Sequence, residues 1–216
     1  MSGLCCVTFF WFFAKNQTFF HLISREHNNT RGSQLSIMND QMSVLADPYP
    51  SKRPIKHCYW VVPDRFLAGE YPRNIDEASS RHKIAALITA GVAAFIDLTE
   101  EGELHSYAPL LDSYPEVFHH RFGIRDVSIP SPQQTTQILD AIDGYMAQEK
   151  MVYVHCWGGV GRTGVIVGCW LARHGYPGEA ALHRLRKELW PACPKSAYRR
   201  SPETREQARY ICEWQV

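Results

Sequence analysis

Long apolar runs are missing from this 216-residue chain. The stretch Leu4 to Phe13, LCCVTFFWFF, invites a membrane test and fails it. It stops at Ala14-Lys15, well short of the ~20 residues that a spanning helix needs. No basic segment precedes it and no small-residue cleavage site follows, so a secretory signal fits poorly. An excess of one charge is missing too. Lys and Arg number 23 against 22 Asp and Glu, a formal net charge of +1, which argues against nucleic-acid binding through a broad basic field. The seven cysteines include no C-x-x-C pair and no regular spacing. Neither a zinc site nor a disulfide framework is expected, and a reduced, cytoplasmic setting suits them better. Glycosylation triplets at Asn16 and Asn28 carry little weight without a secretory signal.

What remains is ordinary for a soluble globular protein: 45% apolar and 21% charged residues, with material for one domain and a tail. Residues 17–54 are polar and lack sustained periodicity. Residues 1–54 are therefore expected to form a flexible N-terminal extension, with Met38 and Met42 just before the pattern becomes orderly, and residues 55–216 one folded domain. In that domain YWVV and FLAG read as strands around a Pro-Asp turn, and residues 76–90 as a helix stopped by Gly91. VAAFIDL and MVYVH read as buried strands. Ser131-Pro132-Gln133-Gln134 has the form of a capping box opening a helix whose face carries Ile138, Leu139, Ile142 and Met146. A helix is expected over 163–174, and a last one from Ser201-Pro202-Glu203. Strands alternating with helices predict an α/β fold with a central, mostly parallel sheet flanked by helices.

The sharpest signal is VHCWGGVGRTG, residues 154–164, between a predicted strand and a predicted helix. Its glycines at 159, 161 and 164 spell G-x-G-x-x-G, and either reading of the loop places backbone N–H groups and a positive helix end around a phosphate. A dinucleotide site expects an acidic residue at the end of a second strand about twenty positions on. Glu179 stands near that distance but within a helical pattern. A Walker-type loop needs Lys where Arg162 stands. A thiol reading explains more. Cys156 follows a strand and precedes a helix N-terminus, a setting that favours the nucleophilic thiolate. Arg162 then offers a planar fork to two phosphate oxygens.

These residues resemble the C-x5-R signature of the cysteine-dependent protein tyrosine and dual-specificity phosphatases. YWVVPDRFLAGEYP, FIDLTEEGEL, IRDVSIPSP and SPETREQ fall in family-like order around it. The resemblance implies a phosphatase fold with a phosphate loop between strand and helix, a cysteinyl-phosphate intermediate, and no metal or cofactor. It assigns the leaving-group proton to Asp126, on a loop thirty residues before Cys156. Many relatives have Pro before that acid; this chain has Arg125. Asp97 is the alternative acid, although a buried strand suits a structural hydrogen bond better, and Asp112 and Asp140 are weaker still. Thr163 is expected to donate to the cysteine sulfur or to cap the helix. His155 is implied to order the loop, and Gln207 to orient water, against the plainer reading of a solvent-facing helix residue. Trp157, Gly158, Gly159, Val160 and Gly161 complete the loop as substrate-binding positions, and Arg199 and Arg200 add positive potential or are merely surface.

No lysine stands within the loop, which weakens a polyphosphoinositide reading. A shallow pocket for phosphotyrosine, with phosphoserine and phosphothreonine as further substrates, follows. The expected partner is a phosphorylated protein or small phosphate ester, with no nucleic acid and no clear membrane association; oligomeric state is not legible. A phosphoinositide or other small-molecule phosphatase of the same mechanism, a rhodanese-like enzyme, an arsenate reductase resolved by Cys169 or Cys193, and a silent phosphate-binding module remain open alternatives.

Overall fold

A computed structural model describes residues 52–215. Apart from its last three residues, the expected N-terminal extension lies outside the described residues, as do Asn16, Asn28, Met38 and Met42. Five strands make one sheet: β1 (Cys58–Val62), β2 (Phe66–Gly69), β3 (Val92–Asp97), β4 (Phe118–Arg121) and β5 (Met151–His155), in the order β1-β2-β5-β3-β4. Only the β1/β2 hairpin is antiparallel; β2/β5, β5/β3 and β3/β4 are parallel. Among the described residues five α-helices accompany it: α1 (Glu77–Thr89), α2 (Pro132–Ala147), α3 (Gly161–Arg173), α4 (Glu179–Arg184) and α5 (Arg205–Glu213).

Alternation along each strand explains why the apolar runs are continuous. In β5, Val152 and Val154 enter a core with the α2, α3 and α5 side chains, while Met151 and Tyr153 enter a second core with α1. Both faces are covered, so no polar phase is left in the strand. Asp76 caps α1 by accepting from Ser79 N at 2.7 Å, and Gly91 follows the helix at φ 104°.

Three expectations need correction. The helix expected from residue 163 begins at Gly161, so the phosphate loop runs directly into it. The last helix does not start at Ser201-Pro202, which forms a cis peptide. It starts at Arg205 under a capping box between Thr204 and Gln207. At Ser131 only half the box exists: its hydroxyl accepts from Gln134 N, but the Gln134 side chain donates to the Gly123 carbonyl. Sequence reasoning also missed β4, because FHHR is a short, half-exposed edge strand with two histidines where β-branched residues would signal.

Candidate active site

The site forms at the carboxyl end of β5, in the middle of the sheet. That is where open α/β sheets place their ligands. Neighbouring segments take up the loop's carbonyls: Leu98 N donates to His155 O at 2.9 Å, and Tyr71 N to Trp157 O at 2.9 Å. Lys195 Nζ donates to Gly158 O at 2.9 Å, and Ser201 Oγ to Val160 O at 2.8 Å. With the carbonyls held outward, the amides of Trp157 to Val160 keep no backbone partner among the described residues. No side chain caps α3, so its first N–H groups join them. The result is an anion-binding cup around Cys156, itself only 3% exposed.

Two glycines are geometric necessities here. Gly159 has φ 70°, and a Cβ on it would overlap the Gly69 carbonyl. At Gly164 a Cβ would overlap Ser201 Oγ, the hydroxyl that holds Val160. The G-x-G-x-x-G pattern therefore records close backbone approach, which any phosphate cup requires, and not a dinucleotide.

Beneath the cup, Arg162 is 1% exposed and heavily engaged. Glu103 grips it through two 2.7 Å bonds, from Nη1 to Oε2 and from Nη2 to Oε1. Its Nη1 also donates to Ile124 O at 2.9 Å, and Nη2 lies 2.9 Å from Asp126 Oδ1. Nε has no partner. The free Nε and the side of Nη2 that faces Asp126 are thus the edge left for an oxyanion. Glu103 escaped the sequence reading. Three neighbouring glutamates in TEEGEL carry no spacing signal to say which one turns inward.

Asp126 is 48% exposed and lines, with Val127, Cys156, Trp157, Gly158, Val160 and Gly161, a cleft of about 470 Å³. Cysteine, arginine and acid therefore converge, as the resemblance implies. Asp97 does not join them. It is fully buried, accepting from Thr99 N and Oγ1 and facing Arg121 and His119. Burial alone would raise its pKa, but the His119 hydrogen bond, the nearby His155 and Thr99 hold it well below the usual range.

His155 is fully buried behind the loop, its Nε2 2.7 Å from the Tyr107 hydroxyl. Burial pushes its pKa down to about 4 despite the pull of Asp97, leaving a neutral ring. The Thr163 hydroxyl is buried and makes no hydrogen bond among the described residues, to the Cys156 sulfur or otherwise; it does not cap α3. Gln207 is fully buried, not solvent-facing. It lies against Gly161, accepts from Glu203 N and Thr204 N, and donates to Ser128 O at 3.0 Å. That bond ties the acid-bearing loop to α5. Trp157 is 61% exposed at the cleft mouth. Cys169 and Cys193 are buried and line no part of the cleft, and burial raises both thiols. A resolving role for either one loses its basis. Among the described residues no His, Cys, Asp or Glu cluster is placed to hold a metal ion.

Residues 55–211 match the family model described as Swiss Army Knife protein, DSP-PTPase phosphatase domain. The chain belongs to this family. Relatives agree with it. One is protein 067L of Invertebrate iridescent virus 3, whose name makes it a candidate tyrosine phosphatase; it is 35% identical over 51% of this chain and 44% of its own length. Another is the dual specificity protein phosphatase CDC14B of Mus musculus, 27% identical over 53% of this chain and 24% of that protein. The chain thus matches less than half the length of these curated relatives. Kinase-associated phosphatase, solved with serine for its catalytic-site cysteine, superposes with a TM-score of 0.58 at 18% identity, covering 74% of this chain and 94% of that one. That likeness establishes the phosphatase-family fold.

Proposed function

We propose that this protein hydrolyses phosphate monoesters, phosphotyrosine side chains among them, through a cysteinyl-phosphate intermediate. One observation carries the reading: Cys156 and Asp126 face one cleft, and the buried Arg162 beneath them touches Asp126 directly. In the first step the Cys156 thiolate attacks phosphorus and an S–P bond replaces the P–O bond. Asp126, protonated, gives its proton to the departing oxygen. In the second, Asp126 takes a proton from water as the water oxygen attacks phosphorus. The S–P bond breaks, inorganic phosphate leaves, and thiolate and acid are restored. Amides from Trp157 onward and the Arg162 edge stabilise the charge on the equatorial oxygens.

Substrate entry has a built-in consequence. A phosphate drawn to Arg162 Nη2 competes with the Asp126 carboxylate for that cation, so binding releases the acid toward the leaving group. The names of the tyrosine and dual-specificity relatives support protein phosphotyrosine, with phosphoserine and phosphothreonine as further substrates. A nucleophile that must stay reduced fits the cytoplasm. Hydrolysis of para-nitrophenyl phosphate tests the mechanism: wild-type protein turns it over and Cys156→Ser does not. Turnover by Cys156→Ser at the wild-type rate would overturn the reading.

A further inference from the structure

The loop sequence carries no lysine, yet the fold brings cations to it from elsewhere. Lys195, in the short turn Pro194–Ala197, reaches the loop and donates to Gly158 O at 2.9 Å. Glu70, just after β2, joins it at 2.8 Å and joins Lys83 of α1 at 2.6 Å. All three side chains are only 13–16% exposed, inside the cleft and not on its rim. Arg73 lines the same cleft. Its guanidinium bonds only the Ser106 carbonyl, at 3.1 Å from Nη1, and its Nε is buried without a partner among the described residues. Glu70 neutralises one of the two lysines. Lys83, Lys195 and Arg73 therefore leave a surplus of positive charge beside Cys156 that the reaction at a single phosphate does not use.

We propose that Arg73, Lys83 and Lys195 form a second anion subsite, and that the substrate is a compact ester carrying a second phosphate close to the scissile one. This rests on the hydrolytic reading of Cys156 and narrows its substrate class. The low exposure of both lysines selects the compact ester. A phosphotyrosine side chain keeps its own main chain outside such a cleft, so a second phosphate on the peptide would meet the rim. Two phosphates a few bonds apart, as on neighbouring hydroxyls of a cyclitol, place the second beside the partly buried lysines. Glu70 holds the two lysines in place, and an anion competes with it, and at Lys83 also with Tyr71 O at 3.1 Å and Asn74 Oδ1 at 3.4 Å, for the ammonium protons.

The subsite is tested with the full chain on para-nitrophenyl phosphate, an inositol monophosphate and a vicinal inositol bisphosphate. The same bisphosphate headgroup in lipid vesicles and a peptide with two adjacent phosphotyrosines complete the panel. The expected kcat/KM for the bisphosphate exceeds that for the monophosphate by about tenfold, a difference of about 1.4 kcal/mol. Arg73→Met and Lys83→Met remove that preference while changing aryl-phosphate turnover less than about twofold. Glu70→Gln, which frees both lysines from their carboxylate, enlarges it. Preference for the soluble bisphosphate, the vesicle-borne headgroup or both supports the subsite and names its source. Equal kcat/KM for mono- and bisphosphate, or a preference confined to the peptide, overturns it and leaves the phosphatase reading standing. Calorimetry of the two inositol phosphates on Cys156→Ser protein reads the subsite without turnover, so it stands or falls separately from hydrolysis.

Discussion

Two aspartates stand near the carboxyl edge of the sheet, each within reach of an arginine, and they have opposite fates. Asp97 is fully buried, with Thr99, His119 and Arg121 covering both its oxygens. Asp126 is half-exposed and held at one oxygen by Arg162. A carboxylate whose lone pairs are all taken inside the protein is fixed as an anion and braces its surroundings. One held at a single oxygen beside open water can exchange a proton with a substrate. The arginines differ in the same sense: Arg121 spans the Asp97 and Glu101 carboxylates, whereas Arg162 leaves one edge free. Saturation of the polar groups separates brace from reagent, and acidity of residue type does not.

Four measurements would break or sharpen this contrast. The largest effect belongs to the reagent: Asp126→Asn is expected to lower kcat on aryl phosphate about 10²–10⁴-fold. The same change should alter unfolding free energy by less than about 1 kcal/mol. Unchanged kcat would move the acid elsewhere. Next is the brace, where Asp97→Asn should cost about 3 kcal/mol in denaturant unfolding at pH 7, because it strands buried donors. The sign with pH follows from the depressed pKa of Asp97 in the fold. Its stabilisation is fully present above the unfolded value of about 3.9 and is lost as pH falls below it, so the mutant's deficit shrinks in acid.

His155 gives the third test. Its folded pKa of about 4 lies below the ordinary 6.5, so the unfolded chain binds that proton first. Wild-type stability should fall between pH 6.5 and 4 by up to about 1.4 kcal/mol per unit, and His155→Gln should flatten that slope. An equal slope in both proteins would remove the buried neutral ring from the account. The smallest effect expected is at Glu103. Glu103→Gln loosens the grip on Arg162 and should reduce kcat/KM about tenfold with the fold intact by circular dichroism. No change would mean that the Ile124 and Leu98 carbonyls, which accept from Arg162 Nη1 at 2.9 and 3.4 Å, suffice to aim the guanidinium.

Much of this was legible beforehand where the signal is local. Continuous apolar strands, Gly91 behind its helix and the strand–loop–helix around Cys156 all follow from short-range rules, and the structure has them. Where partners are distant, pattern gave no access. FHHR pairs as an edge strand only because β3 is beside it. Ser201-Pro202 looked like a helix start, but its serine hydroxyl serves the Val160 carbonyl 41 residues back, and Thr204 caps α5 instead. Gln207 was recognisable as a residue of interest, while its bond to Ser128 was not.

The chain alone marked Cys156 and Arg162 as the candidate pair, since a thiol and a guanidinium with five residues between them on one glycine-rich turn can close on a phosphate whatever surrounds them. It also determined the strand and the helix on either side, through apolar pattern and backbone propensity. The tertiary structure alone decided which of three glutamates holds Arg162, which aspartate keeps an oxygen free, and which lysine reaches the loop. Those choices depend on burial and on hydrogen bonds between segments tens of residues apart. Such energies exist only once the sheet has brought the segments together.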